Sequence, residues 1–333
     1  MRRSFFVILL AAAACGGKQK SSTPPPPLPE EPKPEEAKVE PKEEPKEPEK
    51  PQVPQGPIDL TLAAPKVTVK LVNAGKGKKA ALKIVAKTGT KQQVELAIDF
   101  RGKSTGLGAP DQEDVFPTFV LNGEAEVKAV DKDGNAEYML TVTGTDARDV
   151  AGQKFTNDQA KQVAAGLGGL TIAGTINTNG SASDMKLRIE KPGAASVGAL
   201  GFMTVAYPVF PVLPKEPVGV GAKWQVESAV KVAEQLDVTQ TTEYEVVSHK
   251  GSTWTIKGTT KVSGPDQALG GLKATKIQGG GAIEATLVDG VLYPTMKSNV
   301  QTAFTVSGTD PDSQKTVEGT LDLKHSATIT PKS

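Results

Sequence analysis

From residue 58 onward the chain alternates apolar and polar positions. In KQQVELAIDFR, Val94, Leu96, Ile98 and Phe100 share one parity, while Glu95, Asp99 and Arg101 take the other. Leu236, Val238, Tyr244 and Val246 keep one phase, as do Trp254, Ile256 and Val262. Val317, Leu321, Leu323, Ala327 and Ile329 repeat the pattern near the end. Successive side chains of a strand point to opposite faces, so a period of two with one polar face predicts half-buried antiparallel strands. Lys132-Asp133-Gly134-Asn135, Asn179-Gly180 and Asp289-Gly290 fall between the runs and read as hairpin turns. About a dozen strands are expected, and one open sheet of that width curls or splits. The expected fold is therefore mainly β (α+β). It is a strongly curved antiparallel sheet or half-barrel, with one or two helices packed in or over its concave face.

Two stretches break the alternation. Asn157 to Leu167 reads as a short helix, capped by Thr156 or Asn157 and ended by Gly166 and Gly168. Ser196 to Val209 (SVGALGFMTVAYPV) is apolar on nearly every side, and Leu200, Met203, Tyr207 and Phe210 form one ridge at helical spacing. Pro208 and Pro211 must stop that helix. A helix apolar all round is buried, and the concave face of the sheet is the natural place for it. In the strand that follows, Trp224, Val226 and Val230 share a phase, which predicts a buried tryptophan.

The first 57 residues are of another kind. Arg2 and Arg3 precede an apolar run, Phe5 to Ala14, closed by small side chains. That order is a secretory signal, too short to cross a hydrocarbon core. Next comes Cys15, the only cysteine of the 333 residues. Leu10, Ala12 to Ala14 and Cys15 resemble the lipobox of bacterial lipoproteins, although Ala12 stands where leucine is usual. The resemblance implies cleavage before Cys15, diacylation of its thiol and acylation of its amine. Acyl chains contribute about 0.8 kcal/mol per buried methylene, so three of them hold a protein on a membrane. Gly16, rather than aspartate, follows the cysteine, which favours the outer membrane in a two-membrane envelope.

Between Ser21 and Pro57 lie 13 of the chain's 25 prolines. Glu30 to Pro51 carries nine Glu and five Lys, with Ala37 and Val39 its only apolar residues besides proline. Such a segment favours polyproline II over a packed core and reaches on the order of 100 Å. It resembles the Glu-Pro/Lys-Pro spans by which some envelope proteins cross the periplasm. The expected organisation is a signal peptide at 1–14, a lipidated N-terminus and disordered tether at 15–57, and an antiparallel β domain at 58–333.

YPVFPVLPKEPVGVGAKW (207–224) resembles a segment of uncharacterised bacterial lipoproteins in which a proline-spaced apolar passage leads to Val-Gly-Val-Gly and a tryptophan opening a strand. Anchor, tether and curved sheet together resemble, more loosely, the lipoprotein carriers of the LolA and LppX kind.

Chemistry is scarce. His249 lies in the turn SHKGS, and His325 falls in the apolar phase of the last strand. A metal site needs three or four convergent ligands, and no His or Cys cluster supplies them. Asp131, Asp133 and Asn135 lack the closing glutamate of a calcium loop and read as turn residues. Asp111, Glu113 and Asp114 read as a solvated acidic loop, and Asp310 and Asp312 as turn residues around Pro311. Gly279-Gly280-Gly281 precedes no helix and marks a bulge or bend. Without Arg2 and Arg3 the formal charge falls from +1 to −1, which speaks against nucleic acid as a partner. No enzyme, cofactor or metal is expected. Two readings stay open. One is a lipophilic ligand held in the concavity, lined by Leu200, Met203, Tyr207, Phe210 and Trp224. The other is an envelope scaffold that binds proteins and uses the same residues as core.

Overall fold

The computed structural model describes residues 56–106, 111–206, 210–232, 236–269, 271–309 and 316–332. Strand dominates the described structure, at 65% against 6% helix, so the fold is mainly β. The first half carries β1 (Ile58–Leu62), β2 (Lys66–Asn73), β3 (Lys76–Ala80), β4 (Lys91–Gly106), β5 (Gln112–Val115), β6 (Thr118–Val130) and β7 (Ala136–Arg148). Helix α1 (Asn157–Ala165), β8 (Thr171–Ile176), β9 (Met185–Ile189) and helix α2 (Ser196–Ala206) follow. The second half carries β10 (Val218–Val220), β11 (Lys223–Val232), β12 (Leu236–Lys250), β13 (Thr253–Ser263), β14 (Gln267–Leu269), β15 (Leu272–Val288), β16 (Thr295–Thr309) and β17 (Thr316–Lys332).

Two antiparallel meanders share one sheet. The order across it is β1-β9-β8-β7-β6-β4-β17-β16-β15-β13-β12-β11-β2, with β5 beside β4 and β14 beside β15. The meanders are joined where β17 runs against β4 from Gly319↔Gly106 to Lys332↔Gln93. β3 and β10 form a separate two-stranded sheet.

The curvature follows from connectivity. β1 and β2 stand at opposite edges of a path 13 strands wide, yet only Ala63, Ala64 and Pro65 separate them in sequence. Thirteen strands laid flat at about 4.8 Å spacing would put those edges roughly 58 Å apart. Four residue steps span at most about 14 Å. The sheet must curl until its edges nearly meet, although β1 and β2 do not pair and the barrel stays unclosed. The Ala64 amide donates to Asp184 Oδ1 at 2.8 Å and fastens this corner.

Burial follows the predicted parity. On β4, Val94, Leu96, Ile98 and Phe100 are buried; on β16, Met296, Val300, Phe304 and Val306 are. The inward side chains form two clusters. The larger takes Ile98, Tyr138, Leu213, Trp224 and Ile256 with the helices, and the smaller gathers Leu236, Val262, Ile277, Phe304 and Leu321.

Helix α1 starts at a full capping box: Thr156 Oγ1 accepts from the Gln159 amide, and Gln159 Oε1 accepts from the Thr156 amide. It buries Ala160 and Ala164 and packs on β7 and β6. Ser196, at the start of α2, donates its hydroxyl to the Gly166 carbonyl at 2.8 Å, so the end of one helix holds the beginning of the next. α2 lies against α1 and β17, the central strand, and ends at Ala206, two residues before Pro208.

Gly279 to Gly281 differ from expectation in one respect. The bulge lies just before them, between Thr275 and Gln278 with Lys276 at φ 54°, while the three glycines keep register with both neighbours. Backbone approach is what requires them. A Cβ on Gly279 would lie 2.0 Å from the Gln301 oxygen, and one on Gly281 1.9 Å from the Asn299 oxygen.

Candidate functional site

Of the residues expected to line a lipid cavity, Leu200, Phe210 and Trp224 belong to the larger apolar cluster, at 3%, 5% and 0% exposure. A side chain bordering a water-sized hollow would keep accessible area, and these keep almost none. Met203 lies in α2, but its side chain, like the whole of Tyr207, falls outside the described residues, and so does Cys15. Trp224 sits opposite Leu71 and Tyr244. Its ring stacks on Tyr244 at 5.3 Å, and its Nε1–H donates to the Val212 carbonyl at 2.8 Å. Burial pushes the Tyr244 phenol up, so it stays neutral. Phe210 packs on Tyr293 with ring centroids 5.0 Å apart. Gly180, at φ 80°, lets the Asn179 turn close over this passage, where the Leu213 amide donates to the Asn179 carbonyl at 2.7 Å.

A polar band crosses the inner wall between the two clusters. Thr242 and Thr260 are buried and share a hydroxyl hydrogen bond of 2.8 Å, and Thr302 is buried as well. His325 faces inward on β17, opposite Val300 and Phe100. Burial holds its pKa below the usual imidazole value, so the neutral ring is the folded form. The unfolded chain takes up this proton near pH 6.5 and the folded chain only at lower pH. Stability is complete above the unfolded value and drains as pH falls below it, by up to about 1.4 kcal/mol per pH unit. Urea melts at pH 7.5, 6.5 and 5.5 should show a loss in the native chain that His325→Gln lacks. Equal pH dependence in the two would place the imidazole in water.

The remaining candidates are consumed by structure. His249 differs from the expected turn residue: it lies within β12, one residue before its end, opposite Trp254, and stacks on that indole at 3.5 Å. Asp131 accepts from the amides of Asp133 and Asn135 and from the Asn135 side chain, which is a turn. Asp111 and Glu113 are exposed as expected, but Asp114 is 6% exposed and takes Lys154 Nζ at 2.9 Å along with the Gln112 amide. Asp310 and Asp312 lie outside the described residues. Among the described residues no group of three or more His, Cys, Asp or Glu could hold a metal ion.

A concave feature not foreseen from the sequence lies on the outer face. A groove of about 330 Å³ is lined by Asp99, Arg101, Gly280, Asn299, Gln301, Lys324 and Ser326, with Val300 and His325 also at its floor. Across five strands, Arg101, Lys324, Gln301, Gly280 and Lys261 stand side by side in register. The glycine leaves a gap in this row, and the groove opens there. Asp99 accepts hydrogen bonds from the Thr118 and Ser326 hydroxyls. Asn299 Oδ1 accepts from the Ala282 amide at 3.2 Å, and Gln301 Nε2 donates to Asp322 at 2.8 Å. Among the described residues neither Arg101 nor Lys324 has a carboxylate within 4.0 Å. The only sequence signal for the groove is the outward parity of Asp99, Arg101, Asn299, Gln301, Lys324 and Ser326 in their own strands.

No protein-family model matches the chain, and no curated protein matches it.

Proposed function

We propose that this chain is a lipid-anchored, non-catalytic protein of the bacterial cell envelope, outer membrane favoured, that holds a β body away from the membrane on an extended spacer and docks envelope partners. The anchor reading rests on a lone Cys15 placed directly after a basic head, an apolar run and small residues. The spacer reading rests on the proline, glutamate and lysine of residues 21–57. Of the two roles left open by the sequence, docking is favoured by one observation. Leu200, Phe210 and Trp224, expected to line a lipid cavity, are packed into the core.

One experiment tests both parts. The chain is expressed behind a cleavable secretory signal with Cys15 or with Cys15→Ser. The Cys15 form is expected in the membrane fraction after a high-salt wash. The Cys15→Ser form is expected in the soluble fraction, with a native mass equal to the bare polypeptide. Membrane retention of the serine form overturns the anchor. A stoichiometric noncovalent lipid on it overturns the docking role in favour of a lipid carrier.

A further inference from the structure

We infer that the outer groove at Gly280 binds an oxyanion, a carboxylate or phosphate carried on a hydroxyl-bearing molecule such as a unit of an anionic glycan. The inference rests on geometry alone and does not depend on the lipid anchor.

Arg101 and Lys324 are direct cross-strand partners on one face. Like charges in that relation destabilise a sheet, and no described carboxylate comes within 4.0 Å of either. Asp99, though in the groove, is engaged by two hydroxyls rather than by Arg101. An oxyanion placed between the two cations removes the repulsion. The Arg101 fork supplies parallel N–H donors matched to a carboxylate or phosphate edge, and Lys324 adds a point charge.

The surroundings fit a hydroxylated body. Asn299 gives its oxygen to the Ala282 amide, which leaves its N–H groups to donate to a ligand. Gln301 gives one N–H to Asp322, which leaves its carbonyl oxygen to accept. Gly280 carries no side chain, so a ligand reaches the sheet backbone itself. Lys261 stands across the glycine gap and extends the positive row for a second charged group. At about 330 Å³ the groove is at the small end of ligand clefts, which suits one sugar-sized unit rather than an acyl chain.

The test uses the full chain in nonionic detergent at fixed ionic strength, titrated calorimetrically with inorganic phosphate, glucuronate and glucose. Saturable binding of an anion is expected, with glucose at least tenfold weaker. Arg101→Gln/Lys324→Gln should lose at least tenfold in anion affinity, whereas Lys70→Gln on the edge strand β2 should bind as the native chain does. Both substituted cations are exposed, and unchanged circular dichroism and melting would show that the fold is kept. Binding of glucuronate alone supports a carboxylated ligand, binding of phosphate alone a phosphorylated one, and binding of both the shared oxyanion chemistry. The inference is overturned if neither anion binds, if glucose binds as well as glucuronate, or if the double variant binds like the native chain. Should the double variant fail to fold, salt dependence of the native chain decides. Affinity that falls as salt rises supports the site, and affinity indifferent to salt overturns it.

Discussion

Gly281→Ala should destabilise the protein by more than about 4 kcal/mol, an effect in the far tail for a single added methyl group. The methyl carbon would sit 1.9 Å from the Asn299 oxygen and 2.9 Å from its carbonyl carbon. Both belong to β16, which is paired with β15 on one side and β17 on the other. A flexible side chain would swing away, but a strand paired on both sides has nowhere to go. Relief would need the ladder to part where the sheet bends. A Cβ on Gly279 would press on the same strand at 2.0 Å from the Gln301 oxygen, and one on Gly280 would lie 2.8 Å from the Thr260 oxygen of β13. Gly198 is the control. It is exposed in α2 with nothing within 4 Å of its missing Cβ, and Gly198→Ala should be neutral or stabilise by up to about 1 kcal/mol. Urea melts of both variants decide. A loss within about 1 kcal/mol at Gly281 would mean that β15 and β16 do not approach as described.

The same glycines mark where sequence reading runs out. Their presence pointed to a bend, because three residues without side chains have little other use inside a strand. The direction in which each presses depends on strands 20 residues away and could not be read locally. Parity on long strands was legible, since Val94 to Phe100 on β4 and Leu321 to Ile329 on β17 each carry a full amphipathic signal. That these two strands pair was not, because register between distant segments leaves no mark in either. Nor was the placement of β1 and β2 on opposite edges, although this is what curls the sheet. β3, β5, β10 and β14, of three to five residues each, are too short to show a period. The groove was illegible for the reason that the pairing was: Arg101, Gln301 and Lys324 become neighbours only through register. The ends of both helices, by contrast, were legible, because capping residues and prolines act within a turn of where they stand.

Trp224→Ala should cost about 3–5 kcal/mol, a large part of the 5–15 kcal/mol that is typical of folded domains. The indole is fully buried, stacked on Tyr244 and flanked by β2 and β12. Truncation removes that contact area and also strips the Val212 carbonyl of its donor. A buried acceptor left unpaired adds about 1–3 kcal/mol. Trp224→Phe separates the two contributions. It keeps most of the stacking, loses the Nε1–H donor, and should fall between the native chain and the alanine variant. Gln225 and Lys223 face away. Gln225 is exposed, and Lys223 comes no nearer to a carboxylate than 3.8 Å, at Glu245. Their alanine variants should each change stability by under roughly 0.5 kcal/mol. The contrast tests the inner passage directly, because Val212 is held to the sheet through Trp224 and to the Asn179 turn through Leu213. If the passage merely roofed an open concavity, the tryptophan would border a hollow, and its loss would cost little more than that of its outward neighbours. Denaturant melts of the four variants give the answer: a graded loss at Trp224 with silent neighbours supports the packed interior, and equal small losses at all three positions refute it.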